Sequence, residues 1–144
     1  MKYKKNKLVT GFTLVELMVV VTIIGILAAV GMASFSQTGK KSRDATRKAD
    51  LETVRQALML YQADNGCFPA SGTIDATAYD AMMIVIKDDY LAGDAIRDPK
   101  DSGDYKYAYG AMATANCAGG SSEFTLYANS EVTGDTNAFM ISNL

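Results

Sequence analysis

The sequence predicts an α+β protein in which a long N-terminal helix packs, along its second half, against a small C-terminal antiparallel sheet. Residues 17–33 contain one polar side chain, Thr22, and no charge. About 20 helical residues, each rising ~1.5 Å, cross the ~30 Å hydrocarbon layer of a membrane. Apolar residues then recur at helical spacing between positions 51 and 61, and alternating apolar residues after position 104 indicate strands.

Glu16 is the anomaly of the apolar run, because it places a carboxylate at the rim of an otherwise uncharged helix. An ionisable group within a membrane segment costs at least ~2.5 kcal/mol and is usually retained for a partner. Two interpretations follow from the residues alone. Either Glu16 has a cationic partner, or it lies near the interface and reaches water.

Residues 11–29, GFTLVELMVVVTIIGILAA, resemble the N-terminal signature of type IV prepilins and of the related type II secretion pseudopilins. Residues 47–66 also resemble the helix that follows in major pseudopilins and many bacterial pilins. The C-terminal half matches only in outline. The resemblance implies the pilin fold and a structural role, as a filament subunit rather than an enzyme.

The same resemblance assigns roles to three residues of the motif. It implies that a prepilin peptidase cuts between Gly11 and Phe12 and N-methylates Phe12, and that this amine meets Glu16 of a neighbouring subunit during assembly. Phe12 and Glu16 are four residues apart, so both lie in the first helical turn, where the helix dipole favours a negative group. Pilins of this type often carry a proline where this chain has Ala33, so any unwinding of the helix would depend on Gly25 and Gly31.

Four segments follow from this interpretation. They are a leader peptide (1–11), a transmembrane and assembly helix (12–35), its amphipathic continuation (36–66) and a C-terminal globular domain (67–144). The expected location is the inner membrane, crossed once with the C-terminal domain exported, and then a cell-surface pilus or a periplasmic pseudopilus. The implied partners are other copies of the chain, the prepilin peptidase and methyltransferase, the inner-membrane assembly platform, minor pilins or pseudopilins, and membrane lipid before assembly.

Charge is segregated along the chain. Residues 40–55 contain six basic and three acidic residues, whereas residues 56–144 contain four basic and twelve acidic residues. Nucleic-acid binding is therefore not expected of the acidic domain. The basic band has three interpretations: it faces acidic surface on adjacent subunits, it faces anionic headgroups, or it is a solvated helix face.

Cys67 and Cys117 are the only cysteines. In a small exported domain a disulfide is the leading interpretation, and two buried free thiols are the alternative. A metal site built on two cysteines is not expected, because the sequence contains no histidine.

In the C-terminal half, the seam formed by Leu51, Val54, Leu58 and Tyr61 must be buried, either against the sheet of the same subunit or against other helices of a fibre. We expect the sheet to cover it. Asn65-Gly66 predicts the helix end, and Pro69 follows. A short helix ending near position 88 is predicted from apolar residues at helical spacing, with Asp75 or Thr77 as its cap: Tyr79, Met82, Met83 and Ile86.

Alternation predicts three strands of a small meander. Tyr105, Tyr107 and Tyr109 share one face of the first strand. Phe124, Leu126 and Ala128 share one face of the second, after a turn at residues 118–122. The third strand is predicted at residues 138–142.

The chemistry of an enzyme is absent from the sequence. Without histidine, the usual neutral-pH acid–base group is missing, and no phosphate-binding glycine loop is present. No cofactor is expected, with one open case. Asp98, Asp101 and Asp104 place three carboxylates in a turn-rich segment, and hard cations such as calcium prefer these oxygens. The resemblance to major pseudopilins, which as a group hold calcium in a C-terminal loop, implies that an equivalent loop would be this segment or Asp135 with its neighbours. The alternative is an ordinary solvated loop that binds no metal.

Two functions from different classes are compatible with the residues. The first is a major pilin or pseudopilin that polymerises into a helical filament. The alternative is a single-pass, membrane-anchored adhesive or ligand-binding module that does not polymerise. Fibres of a cleaved, methylated subunit would distinguish the first from the second.

Overall fold

The computed structural model describes residues 11–113, 117 and 119–143. The chain divides into two compact units, Met1–Thr38 and Gly39–Leu144. Helix α1, Leu14–Asn65, contributes its first part to one unit and its second part to the other. Its helical assignment is unbroken at Gly25 and Gly31.

The described part of the first unit consists of the beginning of α1 and the three residues before it. The large apolar side chains from Phe12 to Phe35 are exposed, with Phe35 78% accessible. A helix whose apolar side chains face outward on every side is stable only when another apolar environment covers it. The leader interpretation of residues 1–11 falls almost wholly outside the described residues.

The second unit has one hydrophobic core, to which the second half of α1 contributes its seam. Leu51, Val54 and Leu58 are fully buried, and Tyr61 packs at the edge of the same core. The core also contains side chains of a second helix and of the strands. The prediction that the seam is buried within the chain rather than left for other helices is confirmed, but the sheet does not cover it alone, because α2 contributes to the same core.

Helix α2, Ala76–Tyr90, begins where the sequence predicts. The carboxylate of Asp75 accepts a hydrogen bond from the backbone N–H of Ala78 at 2.7 Å, so Asp75 rather than Thr77 is the N-cap. The predicted apolar face of α2 is buried: Tyr79, Met82, Met83 and Ile86. Helix α1 ends at Asn65 and is followed by Gly66, whose φ of 80° lies in the left-handed region.

The strands are β1 (Phe68–Pro69), β2 (Ala108–Gly110), β3 (Gly120–Ser121), β4 (Thr125–Ala128) and β5 (Phe139–Ser142). An antiparallel sheet has the order β2-β4-β5, as the predicted meander requires. A second, two-stranded sheet pairs β1 with β3. The described secondary structure is therefore a long helix followed by a small antiparallel sheet region, which is the α+β class that the sequence predicts.

Two strand predictions are corrected by the structure. Strand β2 includes only Tyr109 of the three predicted tyrosines. Tyr105 forms an isolated bridge to Ser102 across a turn at Gly103, which has a φ of 58°, and Tyr107 is buried but lies before the strand begins. The segment predicted as a turn after Cys117 contains β3. Gly120 is required there, since a Cβ would lie 2.7 Å from Cys67 Cβ and 2.8 Å from the Phe68 carbonyl oxygen. Ala118 lies outside the described residues.

Candidate functional site

The start of α1 is closed by a reciprocal pair of hydrogen bonds between Thr13 and Glu16. The Glu16 carboxylate oxygen Oε2 accepts from the Thr13 backbone N–H at 2.9 Å and from its hydroxyl at 2.7 Å. In return, the Glu16 backbone N–H donates to Thr13 Oγ1 at 3.3 Å. This is a capping box, in which two N–H groups that the helix leaves unpaired are satisfied by side chains. Glu16 therefore has a structural role at the helix start in addition to its charge.

The bond between Gly11 and Phe12 lies before this cap. Both residues are exposed and lie outside the helix. Phe12 is 82% accessible. The Gly11–Phe12 bond is therefore accessible and non-helical. The structure places Phe12 and Glu16 at the same helix start but records the contact of Glu16 with Thr13, not with Phe12.

The apolar run after the cap is long and apolar enough for a helix to cross a membrane. The one polar side chain, Thr22, donates its hydroxyl to the carbonyl oxygens of Met18 at 2.6 Å and Val19 at 2.9 Å. Because its donor is satisfied within the helix, Thr22 does not need water.

A buried ion cluster in the second unit is centred on Arg47, whose side chain is fully inaccessible to solvent. Its guanidinium donates to both carboxylate oxygens of Asp98, at 2.6 and 2.9 Å. It also donates to Asp44 at 2.6 Å and to Glu131 at 2.7 Å. Glu131 in turn accepts two hydrogen bonds from Arg43. The two arginines of α1 thus hold two loops, one at position 98 and one at position 131.

Electrostatics favour full ionisation of this cluster. The hydrogen bond from Arg43, together with that from Arg47, lowers the pKa of Glu131 to about 2. Burial alone would raise the pKa of Asp98, but the hydrogen bonds from Arg47 outweigh it, and the net pKa lies below its ordinary value. The hydrogen bond with Asp98 is the largest contribution to a raised pKa of Arg47. Each of the three carboxylates forms an ion pair with at least one of the two guanidinium groups, and a buried ion requires such a partner.

Stability is expected to depend on pH through Glu131. Its pKa is about 2 in the folded chain against an ordinary value of 4.5, so the unfolded chain binds the proton first as the pH falls. The stabilisation is therefore complete above about pH 5 and is lost as the pH falls towards 2. Thermal melting of the full chain in detergent, followed by circular dichroism, should show this slope in the wild type and a smaller one in Glu131→Gln. Glu123→Gln, which removes an exposed carboxylate, is the matched control; equal slopes in all three proteins would contradict the assignment.

The sequence contained a signal that the side chain of Arg47 is buried, although Arg47 is not one of the apolar residues of the seam. Position 47 precedes Leu51 by four residues, so Arg47 continues the seam whose members are buried. A charged residue at a seam position predicts a buried partner. The interpretation of the basic band as a solvated face is thus wrong for Arg47, and Arg43 pairs within the subunit. Lys41 and Lys48 remain exposed.

The three carboxylates proposed as a calcium site do not come together in the structure. Asp98 is buried and bound by Arg47, and its Oδ1 also accepts the N–H of Lys100 at 2.8 Å. Asp101 is exposed and lies 3.8 Å from Arg97, and Asp104 contributes its backbone carbonyl oxygen to Asn129. Within the described ranges, no group of three His, Cys, Asp or Glu side chains is arranged to hold a metal ion. The guanidinium of Arg47 occupies the position next to Asp98 that a cation would need.

Cys67 and Cys117 form a disulfide with a Cα–Cα distance of 5.9 Å, which confirms the leading interpretation of the cysteines. The bond links Cys67, which lies just before β1, to Cys117, which lies just before β3, and β1 and β3 pair with each other. It closes a loop with a sequence separation of 50 residues.

Removal of this disulfide is expected to reduce the free energy of unfolding by about 4 kcal/mol. The bond restricts the conformations of the unfolded chain over a loop of this size, and its removal gives that entropy back to the unfolded state. The measurement is chemical unfolding of the full chain in detergent, comparing the wild type with the double variant Cys67→Ser/Cys117→Ser. Wild-type protein treated with reductant should match the double variant. An unchanged unfolding midpoint in both cases would contradict the prediction.

The long N-terminal helix followed by a small antiparallel sheet region is a pilin-like α+β architecture. Residues 6–32 match the family model described as the prokaryotic N-terminal methylation motif. The chain is 37% identical over 62 residues to the type II secretion system core protein G of Pseudomonas aeruginosa, covering 43% of this chain and 44% of that protein. It is also 37% identical over 68 residues to the core protein G of Vibrio cholerae, covering 47% of each.

A further relative is the type IV major pilin protein PilE of Neisseria gonorrhoeae, 34% identical over 68 residues, which cover 47% of this chain and 41% of that protein. The chain thus aligns with less than half the length of the curated relatives it matches. No solved structure matches it. The motif and these relatives thus show that this part of the chain is similar to type II secretion pseudopilins and type IV pilins.

Proposed function

We propose that this protein is the structural subunit of a helical filament, either a type IV pilus or a type II secretion pseudopilus. In this proposal a prepilin peptidase cuts between Gly11 and Phe12 and methylates the new amine of Phe12. The observation that carries the proposal is the construction of the helix start. An accessible Gly11–Phe12 bond precedes a capped helix whose apolar side chains face outward from the first turn.

The capping box suggests how one carboxylate serves two purposes. Thr13 binds Oε2 of Glu16, whereas Oε1 accepts no hydrogen bond within the described residues. Cleavage creates a cationic amine at Phe12, and an unpaired charge in a low-dielectric environment is costly. In the proposed filament, the free oxygen of Glu16 accepts the amine of a neighbouring subunit, which neutralises both charges and fixes the register of the helices.

Polymerisation then exchanges one apolar environment for another. The exposed run is covered by lipid before assembly and by the corresponding helices of other subunits afterwards. Small residues along the run, Gly25, Ala28, Ala29 and Gly31, allow close approach between helices. Among the described residues, no side chain beyond its chain neighbours lies within 4 Å of the Cβ position of Gly25, so a neighbouring helix can approach closely there.

The location and partners follow from this role. The subunit waits in the inner membrane as a single-pass protein with its C-terminal unit exported, and an assembly platform draws it into the fibre together with minor pilins or pseudopilins. The relatives are structural subunits, and the proposal accordingly assigns no catalytic activity to the chain.

Electron microscopy of the sheared surface fraction tests this proposal in host cells that overproduce the subunit with its assembly machinery. We expect fibres that contain the subunit, identified by antibody labelling, and their loss when the gene is deleted. A subunit that stays in the membrane fraction while fibres persist without it would contradict the proposal and favour a membrane-anchored binding module.

A further inference from the structure

A groove of about 340 Å³ lies on the second unit between α1 and the segment that leads into β5. Lys41, Asp44, Ala45 and Lys48 of α1 form one side, where the Asp44 carboxylate is already paired with Arg47, and Val132, Thr133 and Phe139 form the other. The ammonium group of Lys48 lies 4.9 Å from the centroid of the Phe139 ring. Within the described part of the chain, neither lysine has an ion-pair partner. The groove therefore combines apolar walls with two uncompensated positive charges.

The outer face of α2 has the opposite character. Ala81, Ile84, Val85 and Asp88 follow one another at the spacing of a single helix face, opposite the residues that α2 buries. Ile84 is 70% accessible and Val85 46%. The Asp88 side chain is 79% exposed and has only a distant contact, 3.8 Å, with the neighbouring Lys87. This face is an apolar stripe that ends in a negative charge.

We propose that the outer face of α2 in one subunit docks into the groove of the next, with Asp88 paired with Lys48. This inference rests on the proposed filament and identifies a contact between the globular units within it. The two surfaces share no residue, so the contact is heterologous and does not close on a pair of subunits. Repeated heterologous contacts generate a helical polymer, which is the geometry that a fibre requires.

The Arg47 cluster fixes one wall of the groove. The carboxylate of Asp44, which is fixed by Arg47, accepts the backbone N–H groups of Glu131 at 3.0 Å and Val132 at 3.2 Å. These bonds fix the wall that carries Val132. A pre-formed surface loses less conformational entropy on binding than a mobile one, so docking there is favoured.

A second copy accounts for more of these observations than a lipid headgroup does. An anionic headgroup would satisfy the lysines but leave the apolar stripe on α2 exposed. One docking contact covers both surfaces and pairs their charges, and complementary charge across an interface also excludes wrong registers.

A charge exchange between the two surfaces tests the proposal in the full chain, with fibre yield in the sheared fraction as the readout. Lys48→Glu and Asp88→Lys should each reduce fibre yield by roughly tenfold, because each places like charges opposite one another. The double variant Lys48→Glu/Asp88→Lys should restore the yield to within about twofold of the wild type, since the pair is rebuilt with reversed signs. Lys106→Glu and Asp94→Lys, at other exposed positions, are the matched controls and should assemble normally.

The other outcomes overturn the docking. Single variants with normal yield, or a double variant no better than either single one, would exclude the Lys48–Asp88 contact. If Lys48→Glu instead lowers binding to anionic vesicles and the double variant fails to recover assembly, the groove binds headgroups. Thermal melting of each variant shows whether it is folded. Absence of fibres from the wild type would refute the filament itself, a result that the variants cannot imitate.

Discussion

Glu16→Gln is expected to insert into the membrane and to be cleaved, but to yield at least about tenfold less fibre than the wild type. Glutamine retains a side-chain oxygen that can accept the Thr13 bonds, so the capped helix start should persist. The charge is lost, however, and the methylated amine of a neighbouring Phe12 would be left unpaired in a low-dielectric core. The measurement compares the amounts of cleaved subunit in the membrane and sheared fractions by quantitative immunoblotting.

Thr13→Ala provides the matched control, because it removes the hydroxyl partner and keeps the carboxylate. If the charge of Glu16 is what assembly needs, Thr13→Ala should assemble far better than Glu16→Gln, and Glu16→Ala should be no better than Glu16→Gln. Normal fibre yield from Glu16→Gln would rule out the pairing role. Equal loss in Thr13→Ala and Glu16→Gln would mean that the cap, not the charge, controls assembly.

Arg47→Met is expected to reduce the free energy of unfolding by roughly 3–5 kcal/mol, the cost of breaking a buried ion pair by removing one partner. Methionine fills much of the volume but leaves the carboxylates of Asp44 and Asp98 without their cation. The loops at positions 98 and 131 would then lose their attachment to α1. Chemical unfolding of the full chain in detergent measures the effect.

Two further variants separate the geometry of Arg47 from its charge. Arg47→Lys keeps the charge but cannot form the two-pronged bond with Asp98, so its stability should fall between the wild type and Arg47→Met. Arg55→Met breaks an ion pair with Glu52 in which both side chains are more than one-third exposed, and it should have little effect. Wild-type stability for Arg47→Met would show that the cluster contributes nothing to folding.

The parts of the fold that follow local rules were predictable from the sequence. Helix α2 is fixed by the cap at Asp75 and by apolar residues that recur every three or four positions. The end of α1 is fixed by Asn65-Gly66, and alternation around Leu126 identifies β4. Each of these signals acts over a few residues, so the sequence displays it directly.

The pairing of β1 with β3 was not predictable in the same way, because it depends on residues brought together over long sequence distances. Each strand has two residues, too few to show an alternation, and Gly120 suggested a turn. Its real role is to allow the close approach of Cys67 and Phe68. The disulfide supplies the long-range constraint there. The sequence shows the two cysteines, but it does not show that the residues beside them pair as strands.

The candidate site likewise has a part that a local motif predicts and a part that depends on long-range contacts. Gly11, Phe12 and Glu16 are identified by a local motif, and only their capping geometry required the structure. The Arg47 cluster joins α1 to residues 98 and 131, and no local pattern links these positions. The carboxylate of Asp98 therefore suggested a metal ligand, although its partner is an arginine 51 positions earlier in the chain.

Intact-mass measurement of the subunit isolated from fibres of its native host tests the central claim most directly. The account predicts a chain that begins at Phe12, carries one added methyl group on its N-terminal amine and retains the Cys67–Cys117 disulfide. Recovery of the uncut chain, with Met1 still attached, from functional fibres would contradict it, because Glu16 would then have no new amine to pair with.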